Sequence, residues 1–399
     1  MQKTDHFFKG SHYPQSVLIH RVFQGFLAKA KGCTLALAME PTIGIDTKNY
    51  GLYRSGIYHA TVPCLRSLVA AHPGWVYRMI GPDAGNDVLE APNLETQNIK
   101  LPMGPPYGEY LYNVTSFPLR FKPNSVNLLY SPYYDLLLPA GTNAVVTIHD
   151  LLYFRLPGLY KARLVTFYQW IAKRNAEAAK FIITDSKQSQ TDIVRFLGVP
   201  LSKVKLVYPS LDPAWKEPAL VHNPWLEGKQ DGKKRLLYTG GLEARKNLGR
   251  LAEAVKLLGR DYQLWVTGDK VKYTQVVPGL AELDRLGQVS WLGVVRPEQI
   301  KGLYEACDAL VYPSLWEGFG MPVLEARATG LPVACAQMAS IPEVAGDKAF
   351  YFDPLDTQQM TEAIRQAASA KQLAPEFPEA FDQKKNHRKF IQVMEAALS

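Results

Sequence analysis

The 399-residue sequence has no apolar run long enough to cross a bilayer. Its longest, "RLLYTGGL" and "DALVYPSLW", are strand-length and bounded by turn residues, well short of the roughly 20 residues a spanning helix needs. The opening "MQKTDHFFKGSHYPQ" has no cationic start running into an apolar stretch, so no secretory signal is expected. Cysteine is scarce: Cys33, Cys64, Cys307 and Cys335 are dispersed without metal-ligand spacing. They read as buried thiols of a reducing compartment, and the expected location is cytoplasmic. Three motifs are missing as well. Without GxxxxGK[ST], nucleotide hydrolysis is not indicated; without GxGxxG after a strand, a dinucleotide dehydrogenase is disfavoured; without DxD, nothing marks a metal bridging a diphosphate. No basic run interleaved with aromatics and no base-reading module is present, so nucleic acid is not an expected partner.

What is there is a folded protein with an excess of cations. An apolar fraction of 47% and a charged fraction of 21% are those of a globular chain, and the length exceeds what one core usually serves, so two domains are expected. The net charge of +8 suggests an anionic partner, a nucleotide or a phospholipid surface among them, without choosing between them.

Strand and helix patterns alternate. Apolar, β-branched runs occur at 33–40, 127–132, 144–150, 180–186 and 203–209, with helical patterns over 159–180 and 189–198. The pattern breaks at 213–233, rich in proline, glycine and charge, and restarts at 235–241, 263–269, 289–295, 308–314, 331–337 and 349–354. The fold class is α/β: two Rossmann-like parallel-sheet domains facing across a cleft. The expected boundaries are 1–212, a linker at 213–233, 234–380, and a terminal helix over 381–399 that packs back on the first domain.

The stretch "SLWEGFGMPVLEA" (314–326) sits where strand "DALVYPS" gives way to a helix beginning near Pro322. Ligands of parallel sheets bind at the carboxyl ends of strands, which puts both Glu317 and Glu325 on the ligand side. Gly318 and Gly320 let backbone approach a ligand closely. Two acceptor carboxylates with donating backbone between them suit a ligand with sugar at each end and phosphate in the middle. The alternative is structural: acids at a helix start complement its dipole, and glycines make turns. After "RLLYTGG", Arg245 and Lys246 precede a helix capped by Asn247, a place that favours a diphosphate, or else a solvated basic loop. His149 and Asp150 end "AVVTIHD", where the histidine could meet a hydroxyl or phosphate or simply bond to protein backbone.

"YTGGLEARKNLGRLAEAV", "VSWLGVV", "DALVYPSLWEGFGMPVLEARATGLPVACA" and "SIPEVAGDKAFYFDPLD" resemble the C-terminal domain of retaining GT-B glycosyltransferases, family 4-like (group 1), and "VVTIHDLLYFRLPG" and "FIITDSKQSQTDIVRFLGVPLSKVKLVYPSLD" resemble the matching N-terminal domain. The acid, seven-residue spacer, acid signature lies within that match. The resemblance implies that Glu325 accepts from ribose hydroxyls and that Glu317, with the Gly318, Phe319 and Gly320 backbone, meets the donor sugar. Arg245 and Lys246 would hold the leaving diphosphate, beside Gly240 and Gly241. Gly268, Leu292, Gly293 and Val294 would line the base pocket; His149 would sit near the anomeric centre; Gly56 would face the phosphates from the first domain. Two departures stand out: Gly241 replaces an arginine common in relatives, and Ala380-Phe381 replaces a serine-tryptophan pair.

The expected function is retaining, metal-independent hexosyl transfer by front-face attack, with no cofactor beyond the nucleotide-sugar donor. GDP-mannose is favoured over UDP-glucose, and a glycan or lipid-linked saccharide is the acceptor. Basic residues around the apolar ones of 159–180 raise peripheral membrane contact, or equally a core helix with a solvated face. A noncatalytic nucleotide-sugar-binding subunit and a sugar-nucleotide epimerase are the alternatives; a glycoside phosphorylase would typically need a pyridoxal lysine, and none is located.

Overall fold

The computed structural model describes residues 40–50, 56–82, 89–103, 107–217, 225 and 231–399. Two parallel sheets organise them. The first joins β1 (Thr42–Asp46), β2 (Val76–Gly81), β3 (Leu94–Asn98), β4 (Leu128–Ser131), β5 (Ala144–Thr147), β6 (Phe181–Thr184) and β7 (Val204–Leu206) in the order β3-β2-β1-β4-β5-β6-β7. The second joins β8 (Lys234–Tyr238), β9 (Tyr262–Thr267), β10 (Val289–Gly293), β11 (Ala309–Tyr312), β12 (Val333–Ala336) and β13 (Phe350–Phe352) in the order β10-β9-β8-β11-β12-β13. Helices cover both faces of each sheet, so a central strand such as β11, "ALVY", is buried throughout and reads as an unbroken apolar run. In each sheet the order reverses beside the first strand, at β1/β4 and at β8/β11, and such points open a crevice at the strands' carboxyl ends.

The GT-B expectation is met in architecture. All six strands expected in the second half are present; in the first half β4 to β7 are where the pattern put them. The beginning differs. Of the expected strand at 33–40, residues 33–39 lie outside the described residues, while the first described strand is Thr42–Asp46. Neither it nor β2 and β3 was foreseen: β2 carries Arg78, and β3, "LETQN", is a mostly polar, partly exposed edge strand. Cys64, Cys307 and Cys335 are buried thiols, as expected, and no described helix is long and apolar enough to span a membrane.

The terminal helix Gln383–Leu398 begins at Asp382, whose carboxylate accepts from Lys385 N–H at 2.9 Å. It lies on the first sheet's side of the molecule. Phe390, Val393, Met394 and Ala397 join one buried cluster with Leu65 and Leu68 of the helix Gly56–Ala71 and with β1 and β4 residues. Phe381, just before this helix, packs edge-on to Tyr208 (5.1 Å between centroids) and to Phe319 (5.4 Å). Three rings thus gather where the chain crosses between the sheets. The Tyr208 hydroxyl also donates to Glu343, and Lys187 N–H donates to the same carboxylate at 3.0 Å.

Candidate functional site

The switch point of the second sheet assembles most of the residues singled out in the sequence. A short turn, Ala244–Lys246, follows β8, and the helix Leu248–Leu258 follows it; across the switch, β11 leads through Glu317 to the helix Met321–Thr329. Glu317 is gripped from both sides, with Oε2 2.7 Å from Arg245 Nη1 and Oε1 2.7 Å from Lys246 Nζ. Burial pushes this carboxyl up, but Lys246 and Arg245 outweigh it and hold it below the usual carboxylate range. Asp150 and Glu243 also act on Arg245, so the two cations are shared among several carboxylates.

Backbone adds donors beside these cations. Asn247 occupies the cap position with φ 59°, yet its side chain donates to Pro313 O (3.2 Å) and Pro354 O (2.7 Å) instead of capping the helix. Gly320 starts the other helix with φ 108°, a conformation glycine adopts without strain, and has no side chain to cap with. Two adjacent helix starts therefore keep first-turn N–H groups without a side-chain acceptor, a setting that favours an anion.

Glu325, one turn into the second helix, accepts a 2.5 Å hydrogen bond from the Tyr304 hydroxyl, which also lies 3.2 Å from Thr239 Oγ1 at the end of β8. Burial raises the Glu325 carboxyl to about 6 despite that bond. Among the described residues no hydrogen bond reaches its other oxygen. Tyr304 comes from the last turn of a core-facing helix, Pro297–Ala306, and carries no motif that sequence reasoning could have used. At the sheet's outer side Gly268 N–H donates to Gly293 O at 2.7 Å, drawing the β9 and β10 ends together; Leu292 is half-buried and the Val294 side chain stands in solvent. The Gly240 and Gly241 carbonyls accept from Tyr273 (2.6 Å) and Tyr238 (2.7 Å), and Glu243 fills the space above Gly241.

The first domain closes the site from above. A Cβ on Gly318 would lie 2.6 Å from His149 O, so only glycine allows this approach. Ser189 Oγ donates to the same His149 carbonyl at 2.8 Å. The His149 ring does not offer a free nitrogen: Nε2 is 3.0 Å from Pro132 O and Nδ1 2.6 Å from Asp185 Oδ2. Burial works against its charged form, but Asp185 prevails and raises its pKa, and the ring ties together three strand ends. Asp150, next in the chain, is within electrostatic reach of Arg245 and Glu317. Its Oδ1 caps Leu152 N–H at 3.0 Å; burial raises its pKa, while Arg245 across the cleft opposes that rise, and the two form no ion pair. Tyr160 feels Arg245, Asp150 and Glu317 as well. Asp150's place directly after the strand-end histidine was its only signal in the sequence. Gly56, by contrast, starts the helix Gly56–Ala71 with open space around it, and residues 51–55 beside it lie outside the described residues.

The first sheet's switch point holds a different cluster that sequence reasoning did not find. Lys48 Nζ binds Asp135 Oδ2 (2.6 Å) and Asn113 Oδ1 (2.8 Å), and Asn113 donates to the same Asp135 oxygen at 2.9 Å. Asp46 accepts from Ser131 Oγ at 3.0 Å and is raised by burial to about 6. Among the described residues, no three or more His, Cys, Asp or Glu side chains gather as a metal site.

Residues 223–394 match the family model described as glycosyl transferases group 1. Over 232 residues the chain is 33% identical to O-antigen chain mannosyltransferase B of Escherichia coli, a match covering 56% of this chain and 61% of that one, so it spans less than two thirds of that relative. It is 23% identical over 283 residues to O-antigen chain mannosyltransferase RfbU of Salmonella typhimurium, covering 70% of this chain and 76% of that one. The fold is that of Anabaena HepE, solved with UDP and glucose, with a TM-score of 0.68 and 18% identity over 90% of this chain and all of that one. Residues 223–394 thus match the group 1 glycosyltransferases, and the two-sheet fold is of the GT-B kind.

Proposed function

We propose that this protein moves a hexose from a nucleoside diphosphate sugar to a glycan or lipid-linked saccharide, with retention and without a metal, in the synthesis of a surface polysaccharide. Mannose from GDP-mannose is the first choice, because the relatives are named as O-antigen mannosyltransferases; glucose from UDP-glucose is the second, because HepE was solved with UDP and glucose. The observation that carries the reading is Glu317 held between Arg245 and Lys246 beside two uncapped helix starts.

On this reading the diphosphate takes the place beside Arg245, Lys246 and the two helix starts, and the ribose hydroxyls donate to Glu325. The acceptor hydroxyl attacks the anomeric carbon on the face that the leaving group departs from. The bond from that carbon to the diphosphate oxygen breaks, and the hydroxyl proton passes to the released phosphate oxygen. Arg245, Lys246 and the helix starts stabilise the charge that develops there, as fixed donors in a site screened from water do best. Asp150, within electrostatic reach of Arg245 and Glu317, suits the incoming hydroxyl.

Thermal shift with GDP, UDP, ADP and their common sugar conjugates, on the native chain and on Glu325→Ala and Lys246→Ala, tests the donor site. One nucleotide family should raise the melting temperature, and both variants should abolish the rise. Transfer should then persist in EDTA and give a product with the donor's anomeric configuration by NMR. A chain that no nucleotide stabilises, or an inverted product, overturns the reading.

A further inference from the structure

The terminal helix Gln383–Leu398 buries one side against the first sheet, and its other side borders a groove along that sheet's edge strand, β7. Two adjoining hollows of about 370 and 360 Å³ share Lys389 and Gln392, which makes the groove continuous. Its floor is apolar. Phe181, Leu206, Val207 and Val393 line it, all buried or half-buried, so no large apolar side chain stands out from the surface. Two rings at its side are covered by cations: Lys205 Nζ lies 4.8 Å from the Phe181 centroid and Lys389 Nζ 5.8 Å from that of Tyr208.

The rim is cationic and unbalanced. Lys205, Lys384, Arg388 and Lys389 form no ion pair among the described residues, and Lys385 between them is paired with Glu379 at 2.8 Å. Asp382 is the one acid bordering the two hollows, and its carboxylate already accepts from Lys385 N–H at 2.9 Å. Lys384 and Arg388 stand four residues apart, as do Lys385 and Lys389, so like charges repel along one helix. Burial lowers the Lys389 pKa and Lys385 lowers it further, the mark of cations crowded without a counter-charge. We infer that this groove docks an acidic segment of a partner protein, whose carboxylates meet the rim while its apolar side chains enter the floor.

Shape and chemistry favour that occupant over others. A bilayer takes up side chains that protrude, and here the apolar ones lie at the bottom of a groove. A nucleic acid stacks on open rings, and both rings here lie under lysines. A second copy of this chain carries the same net charge of +8 and is repelled. Pairing of two β7 edges is closed off as well: on either side of Leu206, Val204 O accepts from Gln190 Nε2 at 3.0 Å and Tyr208 N–H donates to Asn386 Oδ1 at 3.2 Å. The groove shares no residue with the β8/β11 site, so docking does not depend on the transferase reading, and the two can fail separately.

Fluorescence anisotropy of a fluorescein-labelled peptide of glutamates and leucines is the test, with a glutamate–serine and a lysine–leucine peptide of equal length as controls. The native chain should bind the first, hold the second about tenfold more weakly for want of apolar burial, and leave the third unbound. Affinity should fall as salt is raised. Lys384→Glu with Arg388→Glu, both exposed, should weaken binding about tenfold at an unchanged melting temperature. Should that pair disturb folding, Lys384→Ala with Arg388→Ala serves instead. Ala396→Glu sets a carboxylate at the apolar end of the groove and should weaken binding about fivefold. The same charge change on the helix Ala162–Ala178, Lys173→Glu with Arg174→Glu, should leave affinity within about twofold, since it lies outside the groove. No binding of the glutamate–leucine peptide, equal binding of either control, native-like binding by a folded variant at Lys384 and Arg388, an equal loss from the pair at Lys173 and Arg174, or a preference through Lys384 and Arg388 for anionic vesicles or polyuridine over the peptide would each overturn the proposal.

Discussion

The two sheets reverse their strand order in the same way, yet the two switch points are opposite in character. At β1/β4 a lysine, an asparagine and two aspartates bond mainly to one another and to Ser131, two acids to one base, with Asp46 raised by burial to about 6. At β8/β11 two bases hold one acid, and the helix starts beside them have no side-chain cap. The first arrangement pairs its lysine internally, though Asp135 Oδ1 is buried without a partner; the second sets two cations beside first-turn N–H groups that no side chain caps. On the proposed function, the same crevice in the same topology serves as the donor site where cations and uncapped helix starts meet.

Removing one base from each point is the sharpest way to break that comparison. Lys246→Ala should lower transfer by about a thousandfold and weaken nucleotide binding, since an anion-stabilising donor is lost from a water-poor site. Lys48→Met strands Asp135 and should cost about 3 kcal/mol of stability in a denaturant melt, with nucleotide affinity unchanged. Equal loss of nucleotide affinity in both would erase the distinction. Asp150→Asn should cut transfer about a hundredfold and leave nucleotide affinity within about threefold, because its carboxylate lies within electrostatic reach of Arg245 and Glu317 from the first domain; steady-state kinetics with isothermal titration separates the two. Gly318→Ala sets a Cβ against His149 O and should slow turnover about thirtyfold by holding the two loops apart.

The smallest effect is in pH. The Glu325 carboxyl sits at about 6 against an ordinary 4.5, so without ligand its charged form is disfavoured in the fold: stability from this group is complete below about 4.5 and declines as pH rises through 6. Ribose hydroxyls bind the carboxylate. Nucleotide affinity should therefore fall as pH drops below about 6, approaching tenfold per unit, and Glu325→Gln should bind weakly with that dependence gone.

The second sheet was legible throughout because its central strands β8, β11 and β12 are buried almost throughout and its strands are bounded by glycine, proline or aspartate. Arg245, Lys246, Glu317 and Glu325 could be read because loops after parallel strands have one functional end. What escaped was set by partners distant in sequence. Nothing near His149 announces that Pro132 O and Asp185 engage both its nitrogens, and nothing near Lys48 announces Asp135. Asn247 was placed correctly at a helix start, but its side chain turned to two proline carbonyls supplied by later loops. Polar, edge-like β3 and β1, whose two isoleucines are set among threonine, glycine and aspartate, lack the apolar runs by which strands declare themselves.

The terminal helix has a consequence for how the molecule is made. Phe390, Val393 and Met394 complete a core otherwise built from residues 43–207, with the entire second sheet lying between them in the chain. Domains of a growing chain ordinarily close in the order in which they emerge. Here the first sheet must wait, one face open, while β8 to β13 are synthesised, so the domain that begins first is expected to finish last, and a ribosome stalled before residue 383 should display a protease-sensitive first domain beside a resistant second one.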